Sequence, residues 1–218
     1  MSWFLNTSLF GDAVAATVVR GSAFVGGEGG GMQIVLGKQR HVRNTTDVSF
    51  FTYDEWGYHF ITTQALCEVA EGNCPQFARD LAKEAFGKEP KDITLNMIHP
   101  GGARMIQGIG SQLGLTDTFS AKLAWRSMNK LGNVASATVM DMISMAWDDL
   151  NAGDEAIVVG MGPGFVLDGV SLRVVSADEV TAIRAKSVKR DGAKSTLPLM
   201  TILAGGAALA AVCSGNYF

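Results

Sequence analysis

The sequence predicts one mixed α/β domain, followed by a C-terminal segment of different character. Short β-branched runs alternate with longer stretches whose apolar residues recur at helical spacing, which is typical of helices packed on a sheet. The chain has 218 residues, enough for one sizeable core. Its composition, 47% hydrophobic and 18% charged, is typical of a globular protein and not of a disordered one.

Two strands joined by a glycine-rich loop are predicted at the start of the domain. Residues 13–19 are small, apolar and β-branched, and residues 33–36 form a similar run. Residues 26–31 contain five glycines, a density typical of a loop, so we expect a hairpin. A phosphate-binding loop is disfavoured, because the run lacks a GK[ST] sequence and leads into a strand.

The middle of the chain is predicted to be mainly helical. Residues 62–86 have apolar side chains at helical spacing, but residues 72–75 interrupt them, which leaves one kinked helix or two helices open. Gly114 is expected to end a helix over residues 103–113. Two more helices are expected, one capped by Thr116 or Asp117 and running through Lys130, the other over residues 136–150. The strands predicted around these helices cover residues 93–98, 156–159 and 170–175.

The predicted domain covers residues 1–176, and the chain then changes character. Residues 177–195 carry five basic and three acidic side chains, and we interpret them as a basic linker. Residues 196–218 contain no charged side chain and are long enough to span a bilayer. A membrane anchor and a soluble extension both stay open, because glycine and alanine make this tail only weakly hydrophobic.

Charge and cysteine content exclude several classes of protein. The net charge of −3 and the isoelectric point near 5.6 argue against a nucleic-acid-binding protein. Residues 1–10 do not resemble a signal peptide, so we expect a cytoplasmic domain. Cys67 and Cys74 are seven residues apart, or two turns on one helix face. Buried thiols are the simpler interpretation of this pair, because a metal site needs further ligands and none is nearby.

Two side chains are candidates for chemistry. His99 follows a predicted strand and precedes Pro100 and two glycines, and ligand sites of α/β folds concentrate at such strand ends. Asn133 lies between a glycine and the small residues of a predicted helix start. A structural histidine and an N-cap asparagine are the alternatives.

Four segments in order resemble those of the chalcone-synthase-like type III polyketide synthases. They are residues 9–16 (LFGDAVAA), 98–103 (IHPGGA), 132–137 (GNVASA) and 160–164 (GMGPG). The resemblance covers residues 5–175 and matches the C-terminal half of that family. It implies a thiolase-like layered αβαβα fold, a homodimer, and acyl-CoA and malonyl-CoA as substrates, with no cofactor or metal.

The resemblance also implies roles for individual residues. In that family a cysteine of the first half takes an acyl group, while a histidine and an asparagine of the second half support decarboxylation and condensation of malonyl-CoA. His99 and Asn133 match the two catalytic positions. The residues that match substrate-binding positions are Phe10, Phe60, Gly101, Gly102, Ala135 and Pro163.

Departures from the family keep three functions open. Met161 replaces a phenylalanine, and Ala135 stands where many members have a serine. None of Cys67, Cys74 and Cys213 lies in a context that matches the nucleophile, so we expect pairing with a cysteine-bearing N-terminal half. The chain is then the C-terminal half of a polyketide-forming acyltransferase. The alternatives are a non-catalytic thiolase-like accessory or dimerisation subunit and a relative of β-ketoacyl-acyl-carrier-protein synthase III.

Overall fold

The computed structural model describes residues 8–21, 29–191 and 200–203. Its strands are β1 (Val18–Gly21), β2 (Gly31–His41), β3 (Ser49–Asp54), β4 (Gly57–Thr62), β5 (Leu95–Ile98), β6 (Glu155–Gly162), β7 (Val166–Val175) and β8 (Met200–Leu203). Its helices are α1 (Ala65–Phe86), α2 (Ala103–Leu113), α3 (Phe119–Leu131), α4 (Ala137–Ala146) and α5 (Ala177–Asp191). Short 3₁₀ turns cover Pro90–Asp92 and Trp147–Asp149.

A six-stranded mixed sheet forms the centre of the domain. Its strand order is β1-β8-β2-β7-β6-β5, and the pairs are antiparallel except for β5 and β6, which are parallel. Strands β3 and β4 form a separate hairpin. Ile157 of β6 packs with α1 and α2, whereas its neighbour Ala156 packs with α3 and α4. Because adjacent strand residues face opposite sides, the sheet lies between two helical layers, which confirms the predicted α/β class.

Helix α1 packs directly on β7 at a glycine. A Cβ atom at Gly169 would lie 2.7 Å from Cε1 of Phe77 and 2.8 Å from Cδ2 of Leu81. Phe77 and Leu81 are fully buried. Because Gly169 has no side chain, Phe77 and Leu81 can pack directly against the backbone of β7.

Pro75 lies inside α1, which is one helix and not two. Proline has no N–H group, so the carbonyl of Glu71, four residues earlier, loses its helical partner. The side chain of Gln112 in α2 donates to that carbonyl, with an Nε2–O distance of 3.0 Å. This contact satisfies the carbonyl and joins α1 to α2.

The predicted hairpin of residues 13–19 with residues 33–36 is wrong. Strand β1 pairs with β8, and β8 lies between β1 and β2 in the sheet. Residues 12–15 are exposed and precede the strand. The sequence pattern gave no sign of β8, because its partner strands lie far away along the chain.

Smaller differences concern element ends and the β3–β4 hairpin, which the sequence analysis missed. The cap of α3 is Thr118, whose Oγ1 accepts from the backbone N–H of Ala121 at 3.3 Å, and not Thr116 or Asp117. The helix predicted over residues 136–150 ends at Ala146 and continues as a 3₁₀ turn. Gly114 does end α2, in the left-handed conformation with φ of 70°.

A regular helix occupies most of the predicted linker. Ser176 and Glu179 form a capping box, in which each side chain accepts from the backbone N–H of the other at 2.9–3.2 Å. Val180 is buried and packs on Val175. The division of the chain at residue 176 stays a prediction. The proposed anchor, residues 196–218, lies outside the described residues except for β8, and no helix of the described part is long and apolar enough to cross a membrane.

Candidate active site

His99 is placed by the end of the parallel strand pair. Its backbone N–H donates to the carbonyl of Val159 at 2.8 Å, which extends the β5–β6 pairing by one residue. The chain then turns sharply, as the N–H of Gly101 donates back to the carbonyl of His99 at 3.0 Å. Burial lowers the pKa of His99 to about 4, so the imidazole is neutral near pH 7 and carries one N–H donor.

The position of Asn133 is fixed where its segment crosses, and is hydrogen-bonded to, the segment around Leu9 and Gly11; we call this contact the loop crossing. Its N–H donates to the carbonyl of Leu9 at 2.8 Å, and its carbonyl accepts from the N–H of Gly11 at 3.0 Å. A Cβ atom at Gly11 would lie only 1.9 Å from the carbonyl oxygen of Leu131, and one at Gly132 would lie 2.7 Å from that of Leu9. The glycines of two quoted segments, residues 9–16 and 132–137, therefore allow their backbones to meet.

The Asn133 side chain has a fixed orientation. Its Oδ1 accepts from the backbone N–H of Ala135 at 2.9 Å, and its Nδ2 donates to the carbonyl of Gly101 at 3.2 Å. Ala135 takes the left-handed conformation with φ of 52°, which completes this local turn. The N-cap alternative for Asn133 is wrong, because α4 has Ser136 as its N-cap residue. The second hydrogen of Nδ2 is left for a further acceptor.

Gly101 brings the two catalytic candidates together. A Cβ atom at Gly101 would lie 3.6 Å from both Cδ2 and Nε2 of His99, and its carbonyl holds the Asn133 amide. His99 and Asn133, which are far apart in sequence, thus border the same residue. A neutral imidazole and an amide that border the same residue can supply two N–H donors, which is what stabilising an oxyanion or enolate requires.

Aromatic side chains extend the site from Asn133. Phe10 forms a parallel bridge with Asn133, and its ring packs edge-on against Phe60 with 5.7 Å between the centroids. Phe60 also packs against Phe51, at 4.9 Å. Phe51 was missed by the sequence analysis, although the aromatic and β-branched residues of Ser49–Asp54 are a strand signal that could have indicated it.

The other predicted binding residues differ in how closely they are connected to His99 and Asn133. Gly102 is the N-cap residue of α2, and a Cβ atom there would contact nothing within 4 Å. Ala135 is exposed beside Asn133. Pro163 is exposed in the turn from β6 to β7, at the sheet edge where His99 lies, but without a contact that joins it to His99 or Asn133 among those described.

The described cysteines do not have the properties of a nucleophile. Cys67 and Cys74 share α1. Burial raises the pKa of Cys74 to about 12 and also raises that of Cys67, which disfavours the reactive thiolate. Within the described ranges, no three side chains of histidine, cysteine, aspartate or glutamate are grouped as metal ligands would be.

Comparison with known proteins identifies relatives of the domain. Residues 83–174 match the family model described as the C-terminal part of 3-oxoacyl-[acyl-carrier-protein] synthase III. A 1,3,6,8-tetrahydroxynaphthalene synthase of Streptomyces coelicolor is 26% identical over 75% of this chain and 42% of its own length. A phloroglucinol synthase of Pseudomonas fluorescens is 26% identical over 76% of the chain and 46% of its own length.

A solved structure shows the same fold. The crystal structure of the Streptomyces coelicolor tetrahydroxynaphthalene synthase, a bacterial type III polyketide synthase, superposes with a TM-score of 0.62 and 22% identity, over 68% of this chain and 42% of that one. The chain thus spans less than half the length of these relatives. The chain has a thiolase-like fold, and in sequence it is similar to the C-terminal half of the type III polyketide synthases.

Proposed function

We propose that this chain is the C-terminal half of a polyketide-forming acyltransferase, which condenses malonyl-CoA units onto an acyl-CoA starter. The observation that carries the proposal is the meeting of His99 and Asn133 at Gly101, with the Asn133 amide held in one orientation. The relatives named as synthases of hydroxylated aromatic products support the same class of reaction.

Decarboxylation of the malonyl group is the step that these two residues assist. The bond between the carboxylate and the α-carbon breaks, carbon dioxide leaves, and the electron pair moves into an enolate whose negative charge lies on the thioester oxygen. An N–H of the neutral His99 ring and the free N–H of Asn133 can both donate to that oxygen. Their preorganised dipoles lower the barrier because they need no reorientation when the charge develops.

Condensation then consumes the enolate. Its α-carbon attacks the carbonyl of an acyl group bound as a thioester to a cysteine, a carbon–carbon bond forms, and the cysteine leaves as a thiolate. The same two donors can hold the oxygen of the incoming thioester in this step. Coenzyme A is a carrier of the substrates here, and the chemistry calls for no separate cofactor.

The acyl-accepting cysteine is proposed to come from an N-terminal half, on a longer chain or a separate subunit. The β3–β4 hairpin presents a set of exposed aromatic side chains, which is unusual for a surface that faces only water. The exposed fractions are 59% for Phe51, 74% for Tyr53, 84% for Trp56 and 79% for Tyr58. This face is suited to packing against another half or, in a homodimer, another copy.

Reconstitution tests the proposal. The chain is mixed with a cysteine-bearing N-terminal half, either its own upstream segment or the first half of the Streptomyces coelicolor relative, and given radiolabelled malonyl-CoA. We expect labelled polyketide product and its loss in His99→Ala and Asn133→Ala. If product forms equally well with both variants, the chain acts as an accessory subunit and the proposed catalytic role is wrong.

A second candidate is a β-ketoacyl synthase of the acyl-carrier-protein type. It is favoured by the family model that matches residues 83–174, which is described for the C-terminal part of such enzymes. The two candidates differ in the carrier of the malonyl group. Comparing malonyl-CoA with malonyl-acyl-carrier protein in the reconstituted assay distinguishes them, since only the second candidate requires the protein carrier.

A further inference from the structure

A buried threonine joins the turn between β6 and β7, residues 163–165, to the loop that precedes the β3–β4 hairpin. Thr45 lies in the loop from β2 to β3 and is only 7% exposed. Its Oγ1 lies 2.6 Å from the carbonyl oxygen of Val42 and 3.2 Å from that of Gly164, so its one hydrogen is shared between two carbonyls. Thr45 therefore connects two segments that are 119 residues apart in sequence.

Backbone hydrogen bonds hold the β6–β7 turn on both sides of this contact. The N–H of Gly164 donates to the carbonyl of Ser49, the first residue of β3, at 3.2 Å. The carbonyl of Phe165 accepts from the N–H of Val42, just after β2, at 3.0 Å. Phe165 is buried with φ of 28°, an unfavourable conformation for a bulky residue that persists only where surrounding contacts impose it. The Thr45 hydroxyl is one of these contacts.

The β6–β7 turn joins the His99 side of the site to the hairpin. It follows directly after β6, in which the carbonyl of Val159 accepts from the backbone N–H of His99. Ser49, to which the turn is hydrogen-bonded, lies two residues before Phe51 in the same strand. Because β3 is paired with β4 along its whole length, the position of Ser49 determines that of Phe51. The turn thus relates the position of His99 to that of the aromatic side chains of the hairpin.

The series of contacts closes on the opposite side of the site. From the hairpin it passes to Asn133 through three rings that pack in sequence, Phe51, Phe60 and Phe10. Asn133 and His99 both border Gly101. A displacement of the turn relative to β3 would therefore change the spacing between the sheet edge at His99 and the aromatic side chains. In a site that binds an acyl group, that spacing limits which groups fit.

We propose that Thr45 is a positioning residue that holds the β6–β7 turn against the start of β3 and thereby limits the size of the acyl starter. It acts through Gly164 and the adjacent Pro163, which is exposed in the turn, and not by contact with a substrate. The effect on the starter rests on the proposed function. The hold on the turn does not, and the two are measured separately.

Hydrogen exchange of the chain without substrate tests the hold on the turn. Thr45→Val removes the hydroxyl but keeps the shape of the side chain, whereas Thr45→Ser keeps the hydroxyl. In Thr45→Val, the amide hydrogens of Gly164 and Val42 should exchange about fivefold faster, the effect expected of one hydrogen bond, when they are followed by NMR. In Thr45→Ser they should exchange as in the wild type.

Thr63→Val is the matched control. The Oγ1 of Thr63 donates to the carbonyl of Val48 at 2.9 Å, between the end of β4 and the start of β3 rather than at the turn, so its loss should leave the exchange of Gly164 unchanged. Equal acceleration in Thr63→Val would show that the whole start of the hairpin holds the turn, and this overturns the proposal. Unchanged exchange in Thr45→Val overturns it too. If Thr45→Val does not fold by circular dichroism, Thr45→Ala replaces it.

The effect on the starter is measured in the reconstituted enzyme. In Thr45→Val, the ratio of kcat/KM for hexanoyl-CoA to that for acetyl-CoA should rise about tenfold, since a released turn admits a longer chain, and Thr45→Ser should restore it. The rate of malonyl decarboxylation should not change. An unchanged ratio beside faster exchange of Gly164 overturns the role in starter selection. If the reconstituted wild type makes no product, the proposed function fails, whereas the exchange rates still decide whether Thr45 holds the turn.

Discussion

His99 and Asn133 reach Gly101 through two different kinds of support. His99 continues the parallel pair of β5 and β6, in which β5 is the last strand of the sheet, and the buried residues Leu95 and Met97 precede it in β5. Asn133 lies in an irregular segment between helices, and its backbone hydrogen bonds go to Leu9 and Gly11 at the other end of the chain. The first residue is held by the sheet, whereas the second depends on a long-range contact between two loops.

Because of this difference, we expect the two parts of the site to differ in their sensitivity to substitutions. His99 follows a strand that is paired residue by residue with β6 and packed against helices, so its position depends on many contacts. The loop crossing has only a few hydrogen bonds, and it requires glycine at positions where the backbones nearly touch. We therefore expect the Asn133 side of the site to be the more sensitive one.

The largest expected effect is the absence of polyketide formation by the chain alone, because neither the His99 nor the Asn133 side of the site contains a cysteine nucleophile. The purified chain, given radiolabelled malonyl-CoA and several acyl-CoA starters, should form no polyketide detectable by chromatography. The physical reason is that burial raises the pKa of both described thiols, to about 12 for Cys74. The same assay with a cysteine-bearing N-terminal half is the positive control, and product from the chain alone would contradict the expectation.

Removing the amide of Asn133 should have the next largest effect. In the reconstituted assay, Asn133→Ala should lower the rate of malonyl decarboxylation by about 10²–10³, because one of two donors to the enolate is lost. Asn73→Ala in α1, where the amide donates to the carbonyl of Val69 in the same helix, is the matched control. A loss of less than tenfold in Asn133→Ala would mean that its amide does not face the reacting oxygen.

Gly11→Ala tests the loop crossing itself. The added methyl group would overlap the carbonyl of Leu131, so the two segments must separate, and we expect the free energy of unfolding to fall by about 4 kcal/mol. Gly37→Ala in β2 is the control, since a Cβ atom there contacts nothing within 4 Å. Denaturant titration followed by circular dichroism measures both, and equal stability of the two variants would show that the crossing is looser than described.

The burial of His99 predicts a pH dependence of stability. Burial lowers its folded-state pKa from 6.5 to about 4, so between these values the unfolded chain binds a proton that the folded one does not. This contribution is fully present above pH 6.5 and is lost as the pH falls towards 4, up to about 3 kcal/mol. His99→Gln should lack this part of the slope in denaturant titrations from pH 7 to 4. If the free energy of unfolding of His99→Gln fell with pH as steeply as that of the wild type, titratable groups other than His99 would cause the pH dependence.

The sequence predicted the half of the site that depends on local structure. A short apolar run followed by His-Pro-Gly-Gly indicates a strand end and a turn, and β5 and α2 lie close to the predicted positions. Residue Asn133 was identified by resemblance, but its support could not be predicted, because nothing local relates residue 133 to Leu9. The hairpin predicted for β1 and β2 was wrong for the same reason, since β8 enters between them from the C-terminal end.

Some missed features did have local signals. The Ser176–Glu179 capping box at the start of α5 is readable from the sequence, but the basic charge of the following residues favoured a linker. Two runs rich in aromatic and β-branched residues, Ser49–Asp54 and Gly57–Thr62, with a turn between them, indicate a hairpin.

Pro75 leaves the carbonyl of Glu71 to Gln112, and this hydrogen bond limits the number of residues between the His99 turn and Gln112. Gln112 reaches the carbonyl of Glu71 only when it faces α1, and α2 begins directly after Gly102. Inserting or deleting one residue between Gly102 and Gln112 would rotate Gln112 by about 100° around the helix axis and leave that carbonyl unpaired. We therefore expect this stretch to accept substitutions on its exposed face but no change in the number of its residues.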